Sequence, residues 1–268
     1  MKYCIEFTKD FNYIDEIDEL LIRVTPETKQ DPLSFMAAYP DKRVIIAVEN
    51  EVSKYLIKNL EKIREERPEF NFTLCLPPTF HSLAQELKEK NIPFFFNTLV
   101  NNWDTLQSYV AIGVTDMYIT ETLGFELDKV ANVLHSNNIV IRAYPNVAQS
   151  SMSSSTNDIP ALKTFFIRPE DVDIYAQYID VFEFWAAKNQ LNTYYEIYNI
   201  SKQWYGPLKE IIIGFNSDLD SRFVLPPFAA RRIKCGKRCF KGLGCKICDR
   251  IEEASKTLEE NGLIVKNN

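Results

Sequence analysis

Short β-branched and aromatic runs begin at Phe70, Pro93, Asp116, Asn138 and Thr164, a recurrence of about 22 to 26 residues that leaves room for one helix each time. These are FNFTLCLP (70–77), PFFFNT (93–98), DMYITE (116–121), NIVIRAY (138–144) and TFFIR (164–168). Further runs stand at KYCIEFT (2–8), RVIIAVE (43–49) and DVFEFW (180–185). Between them, SKYLIKNLEKIREER, TFHSLAQELKEKN, NWDTLQSYVAIG and FELDKVANVLHSNN repeat apolar residues at three and four with a charged outer face, the pattern of amphipathic helices. Strand and helix alternate without two adjacent hairpin-like strands, so the expectation is a parallel sheet with crossover helices. Eight such units make a closed (β/α)8 TIM-like barrel the economical architecture.

A ninth run, EIIIGFN (210–216), is either the closing strand, with a shorter run displaced, or an added element. An open doubly wound α/β sheet is the alternative. Its glycine-rich phosphate fingerprint is absent, since the close pair Gly242 and Gly244 follows no strand.

The chain has 268 residues and is 46% hydrophobic, enough to bury a substantial core, which excludes disordered and fibrous classes. No apolar run reaches the roughly eighteen residues of a bilayer span, and the start lacks a secretory pattern. A soluble cytoplasmic protein without membrane contact is expected. The serine-rich SSMSSSTND (150–158) reads as a loop after the sixth strand.

Charge and cysteine are both segregated. Of six cysteines, Cys4 and Cys75 fall in strand-like runs, while Cys235, Cys239, Cys245 and Cys248 crowd into CGKRCFKGLGCKICDR. Residues 231–250 hold Arg231, Arg232, Lys234, Lys237, Arg238, Lys241, Lys246 and Arg250 against the one acid Asp249. Setting that +7 apart from the total of −6 leaves −13 on the rest of the chain. The character changes near Phe223, which divides the chain into a barrel domain, 1–223, and a basic four-cysteine segment with a terminal helix, 224–268.

In a reducing compartment the C-x3-C-x5-C-x2-C spacing points to one tetrathiolate site rather than disulfides. Short loops let the chain wrap an ion, and Gly236, Gly242 and Gly244 supply permissive backbone. Four thiolates suit structural zinc and an iron–sulfur cluster equally. The spacing differs from the C-x3-C-x2-C of radical enzymes that use S-adenosylmethionine, which disfavours radical chemistry. The surrounding Lys and Arg either offset the thiolate charge or contact nucleic acid, with Phe240 able to stack on a base.

In a barrel, chemistry belongs at the carboxyl ends of the strands, where a small-molecule or nucleotide substrate is expected. The polar residues placed there are Glu6, Glu49, Asn97, Glu121, Arg142, Arg168 and Glu183, with Glu6, Glu121, Arg142, Arg168 and Glu183 as the catalytic candidates. Paired carboxylates can act as general acid and base, and arginines can clamp an anion. His81 and His135 both lie in helical patterns, which argues against a histidine triad or a hydrolytic zinc site.

VTDMYITETLGFELDKVANVLHSNNIVIRAYPNVAQ (114–149), FFIRPEDVD (165–173) and FNTLVNNWDT (96–105) resemble segments of the collagenase-like peptidase family, the U-thirty-two group. That resemblance, over about half the chain, implies a (β/α)8-type barrel. Several members carry cysteine-ligated iron–sulfur clusters; some take part in hydroxylating RNA bases or quinone precursors, and others are called peptidases. The family spreads its cluster cysteines along the chain, whereas here they are consecutive and terminal. No peptidase nucleophile carries over to a position of this sequence.

Overall fold

The computed structural model describes residues 1–25, 31–49, 54–148, 162, 164–215, 217–224, 227–236 and 245–260. The serine-rich stretch 150–158 and, in the cysteine-rich segment, Cys239, Phe240, Gly242 and Gly244 lie outside them. Nine strands form one sheet: β1 (Lys2–Glu6), β2 (Glu19–Val24), β3 (Arg43–Val48), β4 (Phe72–Leu76), β5 (Phe94–Phe96), β6 (Leu99–Val100), β7 (Asp116–Ile119), β8 (Val140–Ala143) and β9 (Val181–Glu183). All the strand pairs are parallel, and the order is β5-β4-β3-β2-β1-β9-β8-β7-β6. Apart from β5 and β6, which form the two ends of the order, each strand lies beside its neighbours in the chain, with β1 against β9, and the sheet curls in the manner of a TIM barrel. A doubly wound sheet would instead reverse direction at a switch point.

The helices are α1 (Pro32–Ala38), α2 (Lys54–Glu66), α3 (Ala84–Glu89), α4 (Trp103–Ile112), α5 (Glu121–Gly124), α6 (Leu127–Ser136), α7 (Val172–Tyr175), α8 (Leu191–Tyr195), α9 (Pro227–Ile233) and α10 (Ile247–Glu260). Their stripes are what the periodicity implies: Ile57, Leu60 and Ile63 of α2, and Leu127, Val130, Ala131 and Leu134 of α6, are buried. The Asn102 side chain accepts from the Thr105 amide and starts α4, and Gly113, at φ +82°, ends it in the left-handed region. None of the described helices is long and apolar enough to cross a membrane.

The observed sheet is a strongly curled half-barrel of nine strands rather than the expected closed eight-stranded barrel, and the runs of the sequence map onto it with differences. β2 is a strand absent from the sequence reading. It was hidden because β1 reaches it through a loop whose sole helical turn is Ile14–Glu16, so no amphipathic helix marks the crossover. The run 164–168 is not a strand of the sheet, because β8 and β9 pair directly, Arg142 with Val181 and Ala143 with Phe182. Phe165, Phe166, Ile167 and Arg168 are buried outside the sheet, the Ile167 amide donating to the Pro145 carbonyl at 3.2 Å. The run 210–216 is likewise no closing strand but an added element, with Ile213 making an isolated bridge to Val147.

The expected strand 93–98 breaks after Phe96. β5 pairs with β4, and β6, two residues on, pairs with β7. These are the two ends of the sheet order and do not pair with each other, although the Thr115 amide, just ahead of β7, donates to the Phe94 carbonyl of β5 at 2.9 Å.

Inside the curl, at the amino ends of the strands, lies a buried ionic network. Arg43 opens β3 and binds Asp116 of β7 at 2.6 and 2.8 Å, Glu19 of β2 at 3.1 Å and the Thr73 hydroxyl at 2.7 Å. Arg142 of β8, fully buried, donates from Nε to Asp116 at 2.8 Å and from Nη2 to Glu19. Burial alone would raise the Asp116 pKa, but Arg142 and Arg43 outweigh it and hold the carboxyl below its ordinary range. The network plugs the amino end of the curl with charges matched to one another.

Candidate functional site

At the opposite end, the strands' carboxyl ends open on a cavity of about 640 Å3. Its depth is set by Glu183, the last residue of β9, whose Oε2 accepts the Tyr118 hydroxyl at 2.6 Å. Arg142 reaches up from the amino-end network, its Nη1 standing 3.6 Å from the same Oε2 without a hydrogen-bond partner of its own. Burial raises the Glu183 pKa, and the opposing pull of Arg142 and of the Tyr118 hydrogen bond is not enough to cancel it. Cys75 of β4 lines the same space, its thiol pushed up by burial and then by the Glu183 charge. The depth of the cavity therefore offers a neutral thiol, a phenol and a carboxyl that keeps its proton to a higher pH than an ordinary glutamate.

The walls are aromatic. Tyr118 of β7 and Tyr144, one residue past β8, stack at 4.9 Å with their planes 10° apart, and Tyr144 meets the Trp185 ring edge-on at 5.6 Å. Trp185 is 61% exposed, an unusual position for so large an apolar ring. Its backbone is nonetheless fixed on both sides: its amide donates to Asn146 Oδ1 at 3.1 Å, and Asn146 Nδ2 donates to its carbonyl at 2.8 Å. Asn146 itself is fully buried. At the rim, Arg23 binds Glu6 at 2.9 Å and Glu49 at 3.0 Å, and Lys188 stands 3.4 Å from Glu6.

Of the residues expected at the mouth, Glu6, Asn97 and Glu183 line the cavity, and Glu49 reaches its rim through Arg23. Arg142 lies beneath rather than in it, because its guanidinium is drawn down by Glu19 and Asp116. Glu121 opens α5 directly after β7. Arg168 is not brought to the cavity. It forms a two-bond pair with Asp171 at 2.7 and 2.8 Å and donates to the carbonyls of Ser221 and Val224, clamping that segment to the body. The sequence reading passed over Arg23, Tyr118, Tyr144 and Trp185. Tyr118 carried a signal, since it shares a face with Asp116 and Thr120 along β7, but an exposed tryptophan beyond a strand end carries none.

The cysteine segment docks across the boundary expected after Phe223. Phe228, Ala229 and Ile233 of α9 are buried. The Arg232 guanidinium lies 4.2 Å from the Phe166 ring centre, 5.2 Å from Phe125 and 5.4 Å from Phe228, and its Nη1 donates to the Phe166 carbonyl at 3.1 Å. Of the described basic residues in 231–250, Arg232 is spent inside the protein, while Arg231, Lys234, Lys246 and Arg250 are exposed. Gly236, at φ +58°, donates its amide to the Phe125 carbonyl at 2.8 Å, a backbone conformation that disfavours a side chain. Cys235 and Cys248 pack half-buried against the core, and Cys245 is half-buried as well. Among the described residues no three His, Cys, Asp or Glu side chains gather as metal ligands. No protein-family model matches the chain, and no curated protein is similar to it.

Proposed function

We propose that the chain is a barrel protein of the U-thirty-two type that acts on a small-molecule or nucleotide substrate in its carboxyl-end cavity, as an enzyme or accessory in nucleic-acid or metabolite modification. The observation that carries this reading is the buried Glu183 carboxyl facing a cavity walled by Tyr118, Tyr144 and Trp185, at the end of the strands where barrels perform chemistry. A carboxyl with raised proton affinity suits a general acid or base. Arg142 serves it from below as a positioning residue, and Glu6 and Glu121 stand as the further carboxylates of that end. In the same reading, β5 and β6 are halves of one bent strand that closes an eight-membered barrel, supported by the Thr115 to Phe94 hydrogen bond.

Cys235, Cys239, Cys245 and Cys248 would hold a single metal centre. Supporting this, Cys235 and Cys248 are half-buried against the core, Cys248 in the first turn of α10, and the half-buried Cys245 stands two residues before that helix. An iron–sulfur cluster would supply electron transfer; zinc would hold the segment in place. A second reading, a non-catalytic zinc-stabilised module that binds nucleic acid or a protein, is favoured by the anchoring of Arg232 and Gly236, which makes the segment part of the body.

Metal analysis and the visible spectrum after anaerobic purification separate the two. Iron with acid-labile sulfide in a brown protein supports the first reading, and one zinc in a colourless protein sinks its redox form. Cys245→Ser should lower both metal content and melting temperature, because metal binding is coupled to folding of its site; unchanged values for both would refute the shared centre.

A further inference from the structure

The mouth cavity combines three features that together select one ligand chemistry. The first is an exposed aromatic ring on a rigid mount. Trp185 presents its ring at the rim while Asn146 holds both its amide and its carbonyl, so the ring is displayed without the backbone freedom of a loop tip. Tyr144 stands edge-on to it and Tyr118 stacks behind Tyr144, giving a continuous aromatic wall from rim to depth.

The second is spacing. Glu183 and Trp185 are two residues apart at the end of β9 and both line the cavity. Two residues of extended chain span roughly 6 to 7 Å, the width of a substituted ammonium group. A cation seated there would meet the negative faces of the rings on one side and a carboxyl on the other.

The third is the state of the cations already present. Arg23 bridges Glu6 and Glu49, Lys188 leans on Glu6, and Arg142, fully buried beneath the cavity, is drawn down by Glu19 and Asp116 with its Nη1 3.6 Å from Glu183. An anionic ligand would have to displace a carboxylate from one of these pairs. A cationic ligand would displace none of these pairs and would add a positive charge beside Glu183, whose nearest guanidinium nitrogen is at 3.6 Å.

We infer that the cavity binds a substituted ammonium, the head group of a small amine or quaternary ammonium compound, held between the Trp185 and Tyr144 rings and the Glu183 carboxyl. This rests on the reading of the cavity as the ligand site and names the class of ligand that site takes. Seating the cation beside Glu183 favours ionisation of that carboxyl, so binding releases a proton wherever Glu183 is protonated beforehand.

The test uses three probes of one shape: choline, its uncharged carbon analogue 3,3-dimethylbutan-1-ol, and the anion 3,3-dimethylbutanoate, each titrated calorimetrically into the full-length protein. Choline should bind at least about tenfold more tightly than the alcohol. Trp185→Ala, a change at an exposed ring, should remove about tenfold of that affinity without altering the melting temperature, and Glu183→Gln, which keeps an acceptor for the Tyr118 hydroxyl, should lower the affinity by a similar factor. Equal binding of choline and the alcohol, or choline binding untouched by Trp185→Ala, overturns the ammonium assignment. Preferred binding of 3,3-dimethylbutanoate overturns it too but leaves the cavity as a ligand site. Absence of saturable binding for all three overturns the assignment and removes support from the cavity reading itself.

Discussion

The two ends of the curled sheet are built from the same residue types and do opposite things. At the amino end, Arg43 and Arg142 face Asp116 and Glu19 with every distance short and all but the half-buried Arg43 fully enclosed. At the carboxyl end, Glu183 has only the uncharged Tyr118 hydroxyl and Cys4 thiol as hydrogen-bond partners, and the nearest guanidinium nitrogen is at 3.6 Å. Asp116 is consequently held below the ordinary carboxyl range, whereas Glu183 is held above it. The lesson is that burial by itself does not distinguish a structural charge from a reactive one. What distinguishes them is whether the partners compensate the desolvation, and only the uncompensated group is left with proton affinity to use.

The sharpest way to break this comparison is to remove the residue shared by both ends. Arg142→Met should cost about 3–5 kcal/mol, because it leaves Asp116 and Glu19 buried with half of their compensation gone. The loss should appear in denaturant unfolding as a lower midpoint with an unchanged slope. A cost near zero would mean that the network is permeable to water and that the amino end is not the sealed plug described above.

The pH dependence of stability should separate the two carboxyls by sign. Asp116 has a folded pKa below its unfolded value, so its contribution is complete above the unfolded pKa of about 3.9 and disappears as the pH falls through the folded value. Glu183 has a folded pKa above its unfolded value of about 4.3. Its protonated form is favoured by folding, and that advantage is lost as the pH rises through the folded pKa. Asp116→Asn should therefore flatten the acid limb of the stability profile, and Glu183→Gln should flatten a decline on the side above it. If both substitutions altered the same limb, the two ends would be electrostatically alike and the contrast would fail.

How much of this was legible beforehand follows the same division. The alternation of short β runs with amphipathic helices was enough to anticipate a parallel, barrel-like sheet, and Glu6 and Glu183 were placed correctly because a strand's last polar residue needs no partner to be located. The ionic plug was not legible, since Glu19, Arg43, Asp116 and Arg142 come from four strands far apart in the chain and meet only once the sheet curls. Arg142 was accordingly assigned to the mouth when its partners pull it the other way. Arg168 misled for a similar reason: its partner Asp171 is three residues away, but the carbonyls it grips, at Ser221 and Val224, belong to a distant segment. β2 breaks the strand–helix alternation, since only the short turn Ile14–Glu16 separates it from β1.

The smallest effect expected on stability is the most informative about the mouth. Trp185→Phe keeps the backbone mount, since Asn146 grips the amide and carbonyl whatever the side chain, and the ring it replaces is largely in solvent. Its stability should therefore stay within about 0.5 kcal/mol of the parent, as for other exposed substitutions. The smaller ring reaches less far over the cavity and has a weaker quadrupole than indole, so any cation held there should bind several-fold more weakly. A destabilisation of about 2 kcal/mol or more would show that Trp185 is packed as part of the fold in the way Arg142 is, and the rim would then belong with the plug as structure rather than with Glu183 as a site.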